Sequence, residues 1–140
     1  MKRFFILLLV ALTTLVSCKK ENDKKNDSPT QMQQVMAVHD EVMPKMGTIS
    51  KLVEELKSKT GDSIKGADYE KAMKDLQNAH KAMMDWMKGF GERFDHEEIL
   101  KGKPLNDEKK EWLNEEEVKV EAMKEKVNTS IQNAENLLKN

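Results

Sequence analysis

One cysteine, Cys18, stands in the 140 residues, so no disulfide can close within the chain. Whatever folds beyond it is held by packing, without thiolate chemistry of its own. Aromatic residues are 5% of the chain, and six glycines and three prolines leave few turn positions. With 35% charged residues, that composition suits long solvated helices, and no strand pattern is present. Neither sign of charge dominates: the formal net charge is −1, which argues against a nucleic-acid binder. A Gly-rich phosphate loop, a nucleophile elbow and an acid pair with a defined cleft are all missing, so no enzyme class is indicated. The longest apolar run, residues 4–12, is too short to span a bilayer stably.

That run has a purpose of its own. Lys2 and Arg3 precede it and Leu15-Val16-Ser17-Cys18 closes it, so residues 1–17 read as a signal peptide. The closing tetrad resembles the lipobox of bacterial lipoproteins. The resemblance implies cleavage before Cys18, a diacylated Cys18 sulfur and, usually, an acylated new amino group. Each buried methylene contributes about 0.8 kcal/mol, so two or three chains make the attachment lasting. Removal of Lys2 and Arg3 from the 24 basic side chains, against 25 acidic, brings the net charge near −3. Residues 19–27 (KKENDKKND) hold no apolar side chain and are expected to form a disordered tether. With Cys18 they make a segment, residues 18–27, ahead of a domain at residues 28–140. Charged residues directly after the cysteine resemble the export signal of Bacteroidota-type surface lipoproteins. No Asp follows Cys18 as an inner-membrane retention signal, so the expected address is the outer membrane, with the leaflet open.

The domain is predicted to be all-α, an antiparallel three-helix bundle. The first helix opens on Ser28-Pro29-Thr30-Gln31, with Ser28 as cap and Pro29 in the first helical position. Its stripe runs Met32, Val35, Met36, Val42, Met43, Met46, Ile49, Val53 and Leu56, with Gly61 as the stop. The second is expected from Asp68 to Gly89 or Phe90. The third, capped by Asn106 or Asp107, carries Leu113, Val120, Met123, Val127, Ile131, Ala134 and Leu138, close to a heptad seam. Pro44 removes a donor from the first helix and crowds the Asp40 carbonyl, so a kink or two helical pieces are expected near Met43. Phe90, Phe94, Ile99 and Leu100 suggest that the second connection folds back over one end of the bundle with a short helical turn.

All of the ten methionines except Met1 and Met123 fall in the first two expected helices. Met36, His39, Met43 and Met46 share one face of the first, and His80, Met83, Met84 and Met87 share one sector of the second. If these helices run antiparallel around a turn near Ser63, facing residues have numbers summing to roughly 127. His39 then stands near Met87, Met43 near Met83 or Met84, and Met46 near His80. Thioethers and neutral imidazoles suit Cu(I), so His39, Met43, Met46, His80, Met83 and Met87 are candidate ligands for a soft metal. The other readings are that methionine simply fills a helical core, or that it forms a surface for a partner.

Other motifs are thinner. His96-Glu97-Glu98 has no second histidine four residues on and reads as a solvated polar turn. Glu115-Glu116-Glu117 reads as a solvated face, and Trp86 and Trp112 as packing where bundle meets loop. Asp62-Ser63-Ile64 resembles a short O-glycosylation acceptor of Bacteroidota-type exported proteins, which makes Ser63 its acceptor. Residues 35–47 (VMAVHDEVMPKMG), and the domain as a whole, resemble small helical lipoproteins of that bacterial group, some labelled viral A-type inclusion protein. That resemblance implies the envelope address and the helical fold, and it carries over no catalytic residue. The expected function is a membrane-anchored, non-enzymatic envelope module that binds another protein or supports an assembly. The alternative is a Cu(I)-binding lipoprotein.

Overall fold

The structure, a computed structural model, describes residues 29–61 and 64–139. The signal peptide, Cys18, the charged tether, Ser28 and the Asp62-Ser63 acceptor lie outside the described residues. The described residues are all-α: α1 (Gln31–Val42), α2 (Lys45–Lys59), α3 (Gly66–Arg93), α4 (His96–Leu100) and α5 (Asp107–Lys139). Three helices were expected, the first kinked or in two pieces near Met43 and the second connection with a short helical turn; five helices form among the described residues, because Pro44 divides the first and the second connection holds α4. No helix among the described residues is long and apolar enough to cross a membrane.

The helix ends follow from capping chemistry. Thr30, not Ser28, opens α1: its Oγ1 accepts from the Gln33 amide at 3.3 Å and the Gln33 side chain accepts from the Thr30 amide at 2.8 Å. Pro29 stays outside the helix, its carbonyl accepting from the Gln34 side chain at 3.0 Å. Pro44 keeps helical dihedrals (φ −61°, ψ −25°) but has no amide to donate. The chain closes a tighter turn instead, the Met46 amide donating to the Met43 carbonyl at 3.2 Å. α2 stops at Thr60, whose amide and hydroxyl both reach the Lys57 carbonyl, with Gly61 directly after this cap, where a stop was expected.

α3 begins at Gly66 rather than Asp68 and runs past Gly89 and Gly91 to Arg93. Burial overrides propensity here: Trp86, Phe90 and Phe94 stack in sequence at 4.8 and 4.9 Å between ring centroids, and that column holds the last turns helical. Asn106 caps α5 as expected, its Oδ1 accepting from the Lys109 amide at 2.8 Å.

One apolar core joins α1, α2, α3 and α5, with Val35, Val42, Leu56, Leu76, Met83, Val120 and Val127 wholly buried. Polar contacts fix the register. Gln31 donates to Asn114 at 2.8 Å, Glu41 pairs with Lys124 at 2.7 Å, and Lys45 donates to Asn128 at 2.7 Å. These contacts advance in step along α5 on both sides of the Pro44 break. On α3 the order reverses: Arg93 meets Glu115, whereas Asp75 and Asn78 share a groove with Thr129 and Asn133.

Two supposed solvated faces are not wholly so. Glu98 and Glu116 are buried, against expectation. Lys109 donates to both Glu98 oxygens at 2.8 and 2.6 Å, and the Asp95 amide donates to the same carboxylate at 2.8 Å. Glu116 receives Lys119 at 2.8 Å and Arg93 at 3.1 Å. A buried carboxylate persists only with such partners; Lys119 and the Asp95 amide are local, while Lys109 and Arg93 come from other helices.

Candidate functional site

Three of the six soft-ligand candidates, His39, Met43 and Met46, belong to the α1–α2 arm and three, His80, Met83 and Met87, to α3, and packing divides them. Met83 is wholly buried and Met46 nearly so, so both are core side chains. Met43 and Met87 lie at the surface, 41% and 39% exposed. His39 and His80 line separate depressions. His80 sits beside Ile49, Ser50, Val53, Glu54 and Gln77. His39 shares its hollow with Met36, Trp86, Met87, Phe90 and Ile99. The expected nearness of His39 to Met87 is found; beside His80 the depression is lined by Ile49 rather than Met46. Trp86 lies six residues beyond His80, about 9 Å along α3 at 1.5 Å per residue. Metal–nitrogen bonds near 2 Å do not bridge two rings so far apart, so the six do not form one site.

The His39 hollow is the more organised of the two. Its volume is about 160 Å³ and its walls are mostly apolar. The His39 ring stacks on Trp86 at 5.6 Å between centroids, and its side chain is 13% exposed. His39 Nδ1 lies 2.9 Å from Asp40 Oδ1. An ionised carboxylate only accepts, so Nδ1–H is the donor, and in the neutral ring the lone pair resides on Nε2. That Nε2 is buried and has no hydrogen-bond partner, and neither does the buried Nε1 of Trp86. An unmet buried polar group costs about 1–3 kcal/mol, so two at one place mark a spot unlike the rest of the core.

Asp40 is the carboxylate that meets the His39 ring. Glu41, next to it, pairs with Lys124 and Lys45, and the Lys124 hydrogen bond chiefly holds its carboxyl below the usual range. The buried polar side chains of the chain lie elsewhere. Glu98 is held low chiefly by Lys109, Glu116 is paired, and the Ser130 hydroxyl donates to the Val127 carbonyl at 2.9 Å. Among the described residues no three His, Cys, Asp or Glu side chains gather as metal ligands.

Sequence reasoning passed over Trp86 as part of this site. The register that set His39 opposite Met87 sets it equally opposite Trp86, one residue earlier on the same helix. Its indole therefore could have been assigned to the site from spacing alone.

By fold the described residues are all-α, and one hollow among them carries one imidazole and two thioethers at its wall. Comparison with protein-family models, with curated proteins and with solved structures finds no match.

Proposed function

We propose that the protein is a lipid-anchored, non-enzymatic module of the bacterial cell envelope, tethered at the outer membrane through Cys18 and offering a helical face to an envelope protein. In this reading α1 and α2 act as one arm and make, with α3 and α5, an antiparallel three-helix bundle. The observation that carries the reading is a group of exposed methionines. Met43, Met84 and Met87 are each about two-fifths exposed, and Met87 lines the hollow where α1 meets α3, with Met84 one turn before it on the same helix. Flexible thioethers suit a surface that accommodates an apolar segment of a partner. The buried carboxylates Glu98 and Glu116 are meanwhile spent on structural cations, which leaves them no acid–base work.

Two measurements on the full chain, produced in cells with a lipoprotein pathway, test this. Labelled palmitate is incorporated and the protein fractionates with outer membrane; Cys18→Ser loses both. A photocrosslinking residue at Met84 gives one discrete adduct with an envelope protein, and the same residue at Glu125, on the exposed side of α5, gives none. Palmitate retained by Cys18→Ser would sink the anchor. Equal crosslinking from both positions would sink the methionine group as the binding face.

Soft-metal binding is the second reading, favoured by the unpartnered Nε2 of His39.

A further inference from the structure

We infer that the hollow beneath Trp86 binds one monovalent soft cation of the Cu(I) class, held by His39 Nε2 and the thioether sulfurs of Met36 and Met87. This rests on the soft-metal reading and shares Met87 with the proposed partner face. It also redraws the ligand set: Met36 enters, and Met43, Met46, His80 and Met83 leave.

Three observations converge on the hollow. The first is the imidazole. Nδ1–H donates to Asp40 Oδ1 at 2.9 Å, which leaves the Nε2 lone pair buried and unmatched. A carboxylate behind a histidine is the arrangement that orients metal-binding imidazoles and raises their basicity. Asp40, itself largely exposed, is a positioning residue, and its negative charge offsets that of a bound cation.

The second is the pair of sulfurs. Met36 precedes His39 by three residues, one turn away on the same face of α1, and Met87 enters from α3. Three rotatable bonds let each thioether turn toward the imidazole. A polar organic ligand gains little from thioethers, which are poor hydrogen-bond acceptors, whereas a soft cation gains most from them.

The third is the wall. The Trp86 ring stacks beside His39 at 5.6 Å, and Phe90 stacks behind Trp86 at 4.8 Å. An indole face attracts a cation, more so where water is excluded. One nitrogen and two thioethers are a poor set for Zn(II), which takes four ligands drawn from thiolate, imidazole and carboxylate. The hollow therefore selects by softness and by charge.

The test uses the full chain purified in detergent, titrated without oxygen with Cu(I) against a chromogenic Cu(I) chelator. Tryptophan emission is recorded in a Trp112→Phe background, so that Trp86 alone reports. One Cu(I) per chain is expected, with quenching of Trp86 that saturates at the same equivalence. His39→Gln, Met36→Leu and Met87→Leu each weaken binding at least tenfold, and Asp40→Ala weakens it about tenfold. His80→Gln and Met43→Leu leave it unchanged. Met87 is at the surface and leucine has similar volume, so that variant stays folded, and thermal unfolding of each protein verifies the fold. No Cu(I) uptake by the wild-type chain overturns both this site and the soft-metal reading. Uptake indifferent to His39, Met36 and Met87 overturns the site and leaves the soft-metal reading standing. Zn(II) held as tightly as Cu(I) overturns the selectivity.

Discussion

At the scale of single residues, one side-chain type occupies opposite environments on adjacent turns. Met83 is wholly buried while its neighbour Met84 is 38% exposed, and Met43 is 41% exposed. Truncation should separate them. Met83→Ala removes a packed side chain and leaves a void, which costs about 2–5 kcal/mol. Met43→Ala shifts stability by less than about 0.5 kcal/mol. Urea unfolding of the two variants measures the contrast, and similar losses would mean that packing closes over Met43. The stripe Met32, Val35, Val42 was legible because spacing alone selects the buried face of a helix. The sequence could not separate core methionines from rim methionines, since both satisfy a three-and-four pattern. Nor did it reveal Glu98 and Glu116 as buried: Lys119 is a local partner of Glu116, but Lys109 and Arg93 meet these carboxylates only through loop geometry and helix pairing.

At the scale of elements, turns and ends decide more than propensity. A Cβ on Gly66 would lie 2.5 Å from the Thr60 carbonyl oxygen, a backbone atom with no room to yield. Gly89 has open space at the same position, inside α3. Gly66→Ala should therefore destabilise the α2–α3 connection, whereas Gly89→Ala should add about 0.5–1 kcal/mol of helix propensity. Thermal unfolding midpoints moving in opposite directions is the expected result, and a shared direction would contradict the close approach. The same distinction explains why Gly89 and Gly91 failed as helix stops: nothing there requires a left-handed residue, and the aromatic column pays for continuation. The break at Pro44 was legible because the missing amide is a property of the residue itself.

The α4 corner is an element with a pH dependence of its own. Asp95 accepts from the Glu97 and Glu98 amides, each at 2.9 Å, and from Lys103 at 3.0 Å. The Glu98 amide bond, with Lys103 next, lowers its pKa from 3.8 to about 2. A carboxyl depressed on folding contributes stability above its ordinary value and loses it as pH falls through the folded value. The corner should therefore hold at pH 5 and loosen progressively between about pH 4 and 2. Asparagine caps a helix nearly as well but does not titrate, so Asp95→Asn keeps α4 and flattens that acid limb. Carboxyl chemical shifts followed by NMR give the value directly, and titration near 3.8 would refute the cap as its cause.

At the scale of the whole molecule, stability has one source. Many ion pairs of the described residues join exposed side chains one helical turn apart, and such pairs contribute roughly 0.3–0.5 kcal/mol each and fade with salt. With Cys18 the chain's one cysteine, no disulfide divides or reinforces it. The remaining contribution is a single apolar core to which α1, α2, α3 and α5 all lend residues, so none of these helices keeps its buried face once another leaves. The two tryptophans sample different joints of that core. Trp86 is clamped between His39 of α1 and Phe90, and Trp112 lies under Arg93 of α3 at 5.5 Å from the start of α5. If one core governs, Trp86 emission, Trp112 emission and far-ultraviolet ellipticity must decay at the same urea concentration with the same slope. A Trp86 transition preceding the others would instead mean that α1 and α2 detach as a separate unit, leaving α3 and α5 paired. The hollow around His39 would then be a joint that opens, and its ligands would part before the fold does.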